Sequence, residues 1–323
     1  MSPELPPVVI PSVVLSAERD RNQLVRDRRS GDIVRVRRGA YCAVGSIRTD
    51  GPAAGPRERR NRALACARAL HAQLRADHVF SHATAALLLG CRVWTVPDRT
   101  HLYQGYRASA RAADDVVRHR GDLPPTDRTT AAGLPVTSLL RTVVDCALTL
   151  HPLEALVVVD SALRLGADRD DLLAMLQART GRRGVRRAVR VVTLGDAGAQ
   201  SAWETWVRYE MLRAGLPRPV TQMAVRTDHG IFHTDLGYPR WALGIEFDGQ
   251  VKYRPDGVRP GHDPAQEYMR EKARDAAIRR AGVTLEHVSA KDRRDAQALV
   301  ARLGRHLPPE ARTSPDPLLP PLV

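Results

Sequence analysis

Lysine is nearly absent from this chain. Of its 50 basic residues only three are lysine (Lys252, Lys272 and Lys291), and the other 47 are arginine. Such a bias fits a GC-rich coding sequence as well as selection for a polyanionic partner, so the net charge of +14 keeps nucleic acid open without establishing it. Aromatic residues are scarce too, at 4%, so the cores must be built from Leu, Val and Ala. Four cysteines (Cys42, Cys66, Cys91 and Cys146) have no C-x₂-C spacing. They fit neither a zinc framework nor a small disulfide scaffold, and a reducing cytoplasm is the expected setting. No apolar run approaches the ~20 residues that a membrane span needs. The opening MSPELPPVVIPS lacks the basic-then-apolar order of a secretory signal. These absences lead to the expectation of a cytoplasmic protein with no membrane partner. A length of 323 residues predicts two domains.

What is there centres on residues 231–253, IFHTDLGYPRWALGIEFDGQVKY. Read with a period of two, it is a β-hairpin turning at Gly237-Tyr238-Pro239-Arg240. Trp241, Leu243, Ile245 and Phe247 then point one way, while Ala242, Gly244, Glu246 and Asp248 point the other. Before the turn, Ile231, His233 and Asp235 share a face, so Asp235 is expected near Glu246 and Asp248, with Ala242 and Gly244 leaving room. Carboxylates gathered on one face repel unless a cation neutralises them. Mg²⁺ or Mn²⁺ is the natural candidate for the metal, with Asp235, Glu246 and Asp248 as ligands and phosphate and water completing its shell. Lys252 could stabilise charge in a phosphodiester transition state. The same acids also fit a solvated hairpin face.

Asp235, then Glu246-Phe247-Asp248-Gly249 and Lys252, resembles the core of the PD-(D/E)xK nuclease superfamily, closest to its very-short-patch-repair-like branch. The resemblance covers roughly residues 200–306 and implies metal-dependent DNA cleavage on a mixed sheet flanked by helices. In that branch an acid on one strand is followed by an acid-x-acid-Gly strand end and a nearby His or Lys. Where the wider superfamily carries Lys this chain has Asp248, so Lys252 must substitute or the site is inactive. Glu204 has two readings. The resemblance implies a first-helix Glu that reaches the metal; the spacing Ser201-x-x-Glu204 is also that of a capping box. The run Glu271-Lys272-x-Arg274 is similar to the helix start beside the active site of that branch.

The N-terminal half reads as a basic helix capped by Ser16 and ended by Gly31, then a basic hairpin turning at Gly39. Helix in the groove and hairpin on phosphate is one way to meet DNA, with Arg26, Arg28, Arg29, Arg35, Arg37 and Arg38 as contacts and Lys272 added from the other half. A solvated basic face is the alternative for each. Residues 32–41 (DIVRVRRGAY) and Ser81-His82-Ala83-Thr84-Ala85-Ala86 resemble the winged-helix part of abortive-infection AbiEi-type antitoxins. This second resemblance implies a DNA-binding regulator, with a cognate toxin as a possible protein partner. His82 itself reads as a capping or packing residue, because no metal partner or nucleophile adjoins it in sequence.

The fold class expected is α+β: a winged-helix-like, mainly helical N-terminal domain, then a restriction-endonuclease-like mixed sheet flanked by helices. The divisions expected are an irregular arm (1–14), the regulator-type region (15–180), a basic linker (181–198), the endonuclease-like domain (199–307) and a disordered Pro-rich tail (308–323). The functional expectation is a DNA-binding protein that hydrolyses phosphodiesters with a metal ion, or a toxin–antitoxin regulator on an inactive nuclease fold.

Overall fold

The structure, a computed structural model, describes residues 7–49, 54–105, 113–121, 123–248 and 264–322. It is α+β and divides into two compact units: residues up to Thr149 with Leu165–Val185, and Leu150–Arg164 with the chain from Arg186 onward.

In the first unit, β1 (Val14–Leu15) leads through a 3₁₀ turn to α1 (Arg21–Ser30), β2 (Ile33–Arg37), β3 (Ala40–Ala43) and α2 (Val44–Ile47). Asp20, not Ser16, caps α1: its carboxylate accepts from Gln23 N (2.9 Å), while Ser16 is spent on the preceding 3₁₀ turn. Gly31 ends the helix at φ 81°, and Gly39 turns the hairpin at φ 73°. The three strands form an antiparallel sheet in the order β1-β3-β2. After α3 (Ala54–Gln73) come β4 (Val79–Phe80), α4 (His82–Leu88), β5 (Thr100–Tyr103), β6 (Val116–His119), β7 (Arg128–Ala131) and β8 (Leu134–Thr137). Their sheet runs β6-β5-β4-β8-β7. Residues 92–96 are irregular ahead of Pro97, which cannot donate to a ladder. α5 (Leu139–Thr149) follows, the chain passes to the second unit for α6 (Pro152–Arg164), and α7 (Arg169–Gln177) returns to pack on α5. Leu64, Leu70, Phe80, Leu87, Leu102 and Val136 centre this unit's larger core.

The second unit adds α8 (Val185–Leu194), α9 (Ala202–Arg213), β9 (Val220–Thr227), β10 (Gly230–Tyr238), β11 (Leu243–Asp248), α10 (Pro264–Arg280), β12 (Thr284–Ser289) and α11 (Ala296–Gly304). Its sheet runs β12-β11-β10-β9; β9, β10 and β11 are antiparallel, and β12 lies parallel to β11. The hairpin turn falls at Pro239–Trp241, with Ala242 at φ 46°, so Trp241 and Ala242 belong to the turn and not to the alternating strand. Gly244 is required for packing: a Cβ there would sit 2.8 Å from Thr234 Cγ2. α10 lies along β9 and β12, where Ile278 joins Met223, Val225 and Leu285. Trp203 on α9 stacks on Phe247 (centroids 5.1 Å, planes 11° apart). Phe247 alternates with Glu246 and Asp248, so α9 and the acids take opposite faces of the sheet.

Three expected divisions are corrected. The basic linker 181–198 contains a helix, α8, because Ala188, Val191 and Val192 recur on one face and are buried while arginines take the rest. The tail 308–323, expected to be disordered, is held against the second unit over its described length. Thr313 N donates to Gly215 O (2.8 Å), Asp316 accepts from Arg190 (2.6 Å), Pro320 O accepts from Tyr209 (2.6 Å), and Leu319 is buried. Prolines fix an extended path whose carbonyls stay available as acceptors, which composition alone does not reveal. The boundary of the region 15–180 also shifts, because α6 packs on α9 and belongs with the second unit. Among the described residues no helix is long and apolar enough to cross a membrane, and all four cysteines are free thiols.

Candidate functional site

The end of the β10/β11 hairpin gathers acids beneath α10. β10 and β11 pair at Leu236↔Ile245, one step short of Asp235 and Glu246. There the ladder is replaced by a side chain: Asp235 Oδ2 accepts from Phe247 N at 2.7 Å. On its other side β10 pairs with β9 at Thr234↔Met223 and Leu236↔Thr221, skipping Asp235 and Gln222, and Gln222 takes φ 49°. Asp235 therefore joins the cluster at a break in the ladder, not through the strict alternation that the sequence predicts. A non-glycine residue at such a φ costs on the order of 1 kcal/mol or more.

Glu246 is largely buried (8% exposed), and its Oε1 accepts from Arg274 Nη2 at 2.7 Å. Arg274 also donates to His233 O (2.5 Å). Burial opposes the Arg274 charge, but the hydrogen bond and charge of Glu246, with help from Asp275 and Asp235, outweigh it and keep the guanidinium protonated. The parallel ladder sets Glu246 opposite His287. His287 Nδ1 meets Asp248 Oδ2 at 3.0 Å, and its Nε2 meets Asp275 Oδ2 at 2.9 Å. The hydrogen bond from Asp248 raises the His287 pKa above its ordinary value; burial opposes this, and the charges of Asp248 and Asp275 add to it. Asp275 Oδ1 is buried with no hydrogen-bond partner among the described residues.

Asp235 and Glu246 thus lie beside Arg274, which the Glu271-Lys272-x-Arg274 run already singles out, and Asp248 reaches His287 and Asp275; the ligand atoms of the three acids do not all lie within 4.8 Å of one another. What hid Asp275 and His287 is that strand register cannot be read from spacing. Glu204 is elsewhere. Ser201 Oγ accepts from Glu204 N (3.1 Å), and Glu204 Oε2 accepts from Gln200 N (2.7 Å), on a helix at the opposite face. Lys252 lies outside the described residues.

The expected phosphate contacts separate into two kinds. Arg26, Arg28, Arg29, Arg35, Arg38 and Lys272 are exposed. Arg37 is not available: its Nε and Nη2 bond both oxygens of Asp115 (3.0 and 3.1 Å), and Nη1 donates to Gln73. Its outward sequence position on β2 is overridden because that edge of the hairpin packs within its own unit.

The first unit holds a second polar cluster. His101 and Tyr103 alternate with the core residue Leu102 on β5, and β6 sets His119 directly opposite Tyr103. His82, at φ 53° where β4 gives way to α4, stacks its ring on His119 at 3.6 Å between centroids. His101 Nδ1 and His119 Nε2 are 3.0 Å apart, and Ser81 Oγ is 2.9 Å from His82 Nδ1. Next to them, Arg141 donates to Tyr103 Oη (2.8 Å), Asp127 (2.7 Å) and Asp145 (3.0 Å). Burial pushes the His82 imidazole down to about 2 and that of His119 to about 4, with the neighbouring histidines adding to it. His82 is buried and packed, in keeping with its reading as a capping or packing residue, but the histidines it packs on are far along the chain and adjacent in the sheet.

No family model matches the chain. It is 29% identical over 179 residues to two uncharacterized proteins of Mycobacterium tuberculosis, from strains CDC 1551 / Oshkosh and ATCC 25618 / H37Rv, covering 54% of this chain. The chain spans 63% of the length of these curated relatives. Among solved structures, the RV2827C protein from Mycobacterium tuberculosis overlaps with a TM-score of 0.35 and 18% identity, over 56% of this chain and 71% of that one.

Proposed function

We propose that the second unit binds Mg²⁺ or Mn²⁺ at Asp235, Glu246 and Asp248 and hydrolyses phosphodiester bonds of DNA. The observation that carries this reading is the charge balance of the cluster. Among the described residues, four carboxylates (Asp235, Glu246, Asp248 and Asp275) face one guanidinium and one imidazolium, an excess of two negative charges. A divalent cation with oxygen ligands matches that excess, and the partnerless Asp275 Oδ1 supports it. Bound there, such an ion would supply an activated water and neutralise charge on the phosphate. The chain's own part is proton handling. His287, held between Asp248 and Asp275, keeps a proton that a departing oxygen needs, so the His of the acid-x-acid-Gly resemblance is His287 in this reading. The exposed Arg26, Arg28, Arg29, Arg35, Arg38 and Lys272 would hold the nucleic-acid backbone.

Plasmid nicking by purified protein with Mg²⁺ or Mn²⁺ tests this. Cleavage is expected to need the metal and to disappear in Glu246→Ala and Asp235→Ala. Cleavage unchanged in either variant sinks the assignment.

One observation favours a second reading, a toxin–antitoxin-type DNA-binding regulator on an inactive nuclease fold. Arg274 already occupies Glu246, and Asp248 stands where the superfamily has Lys. A duplex-DNA mobility shift that is salt-sensitive yet indifferent to divalent metal, with no nicking, supports this regulator over the enzyme.

A further inference from the structure

We infer that His82, His101 and His119 form a binding site for a zinc-type divalent transition metal in the first unit, a site separate from the carboxylate cluster and independent of it. The carrying observation is the convergence of three imidazoles from three elements, α4, β5 and β6, whose ligand nitrogens all lie within 4.8 Å of one another. Tetrahedral ligands about 2.0–2.1 Å from zinc stand roughly 3.3 Å apart. The 3.0 Å between His101 Nδ1 and His119 Nε2 is already near that spacing, and His82, whose ring lies nearly parallel over His119 at 3.6 Å, turns out of that stack to aim its lone pair at the same ion.

Three further features fit a ligand site better than a packing cluster. His82 is a non-glycine residue in the left-handed region, a strained backbone that turns its ring onto the other two. Ser81 Oγ engages His82 Nδ1, which fixes the ring and leaves Nε2 to coordinate, the usual outer-shell arrangement of a metal-bound histidine. Finally, two imidazole nitrogens 3.0 Å apart share one proton at best, so an ion that takes both lone pairs suits them better than a single hydrogen bond.

The donor set decides the class of ion. Three imidazoles with no carboxylate suit zinc, cobalt, nickel or iron and not magnesium or calcium. Three protein ligands leave a fourth position for water or a small-molecule ligand, the pattern of catalytic rather than structural zinc. Tyr103, its ring 5.9 Å from His82 and 5.8 Å from His119, brings a hydroxyl already hydrogen-bonded to Arg141 and Asp145 to the same neighbourhood.

The test uses the full chain without an affinity tag. Protein is stripped with chelator, loaded with Zn²⁺ or Co²⁺, dialysed and measured for metal content and for cobalt d–d absorption. About one equivalent per chain with a tetrahedral cobalt spectrum is expected. Loss of an outer-shell partner weakens metal binding by about 10–100-fold, so Ser81→Ala is expected in that range and His101→Gln and His119→Gln beyond it. Metal retained in His101→Gln but lost in Glu246→Ala would place the ion at the carboxylates and overturn the inference. Should the histidine variants misfold, Ser81→Ala, whose change is small, still reports. Less than a tenth of an equivalent bound by the unmodified chain, or binding unchanged in His101→Gln, His119→Gln or Ser81→Ala, overturns the inference.

Discussion

Asp160 is the residue whose loss should cost the second unit most. It lies on α6 at 2% exposure and receives three hydrogen bonds: Arg208 Nη2 (2.5 Å), Thr205 Oγ1 (2.8 Å) and Asp196 N (2.7 Å). Arg208 on α9 is fully buried and spends its Nη1 on Leu194 O (2.6 Å). Asp160→Ala therefore strands a buried guanidinium and leaves Asp196 N without its acceptor. Breaking a buried pair by removing one partner costs about 3–5 kcal/mol. For a unit of this size each kcal/mol moves the melting temperature by about 2–4 °C, so a drop of roughly 6–20 °C is expected. The double variant Asp160→Leu/Arg208→Leu should recover much of it, because the charge and its desolvation leave together. Urea and thermal unfolding of the three proteins measure this. An Asp160→Ala chain within 1 kcal/mol of the unmodified one would refute the idea that this pair ties α6 to α9.

Other outcomes follow from single features. Burial pushes the Asp196 carboxyl up, but the hydrogen bonds from Gly198 N, Thr221 and Arg218 with the charge of Arg208 more than reverse it, so its pKa sits below its ordinary 3.8. Its stabilisation is present above that unfolded value and is lost as pH falls through the lower folded one; Asp196→Asn should narrow the stability gap to the parent chain as acid titration proceeds below about pH 4. Gly215 has φ 80° and a Cβ there would meet Thr313 O at 2.1 Å, so Gly215→Ala should detach the C-terminal segment, seen as faster proteolysis near residue 313 and a lowered melting temperature. If duplex DNA is bound through β2, Arg35→Ala/Arg38→Ala should flatten the salt dependence by about 1.8 in log–log slope with no change in melting. Arg37→Ala should instead lower the melting temperature, since it frees Asp115.

Much of the second unit's fold could be read from local pattern. The hairpin carries its own alternation and turn residues and is found within a few residues of its expected place, and the helix that carries the Glu271-Lys272-x-Arg274 run follows it. The same holds for α1 and the basic hairpin, where Gly31 and Gly39 mark the ends. What failed did so where a residue's role depends on a partner far along the chain. Arg37 has the same sequence surroundings as Arg35, yet Asp115 claims it. The tail reads as Pro-rich and solvated, yet Gly215 and Tyr209 supply its partners.

The two polar clusters differ in legibility for one physical reason. The acids of the second unit sit on adjacent strands joined by a tight turn, so period-two alternation nearly superposes them, and only the break at Asp235 departs from that logic. His82, His101 and His119 are joined by no short turn. The parallel register of β5 with β6 sets His119 beside Tyr103, and the φ of 53° at His82 aims the third ring. Neither a parallel register nor a strained φ leaves a mark on spacing, because both are imposed by the sheet as a whole. A residue that breaks local backbone preference while lying next to like groups from distant strands is therefore better evidence of a site than any motif in this sequence. By that criterion the histidine cluster, which the sequence gives no reason to single out, ranks with the carboxylates that the sequence displays openly.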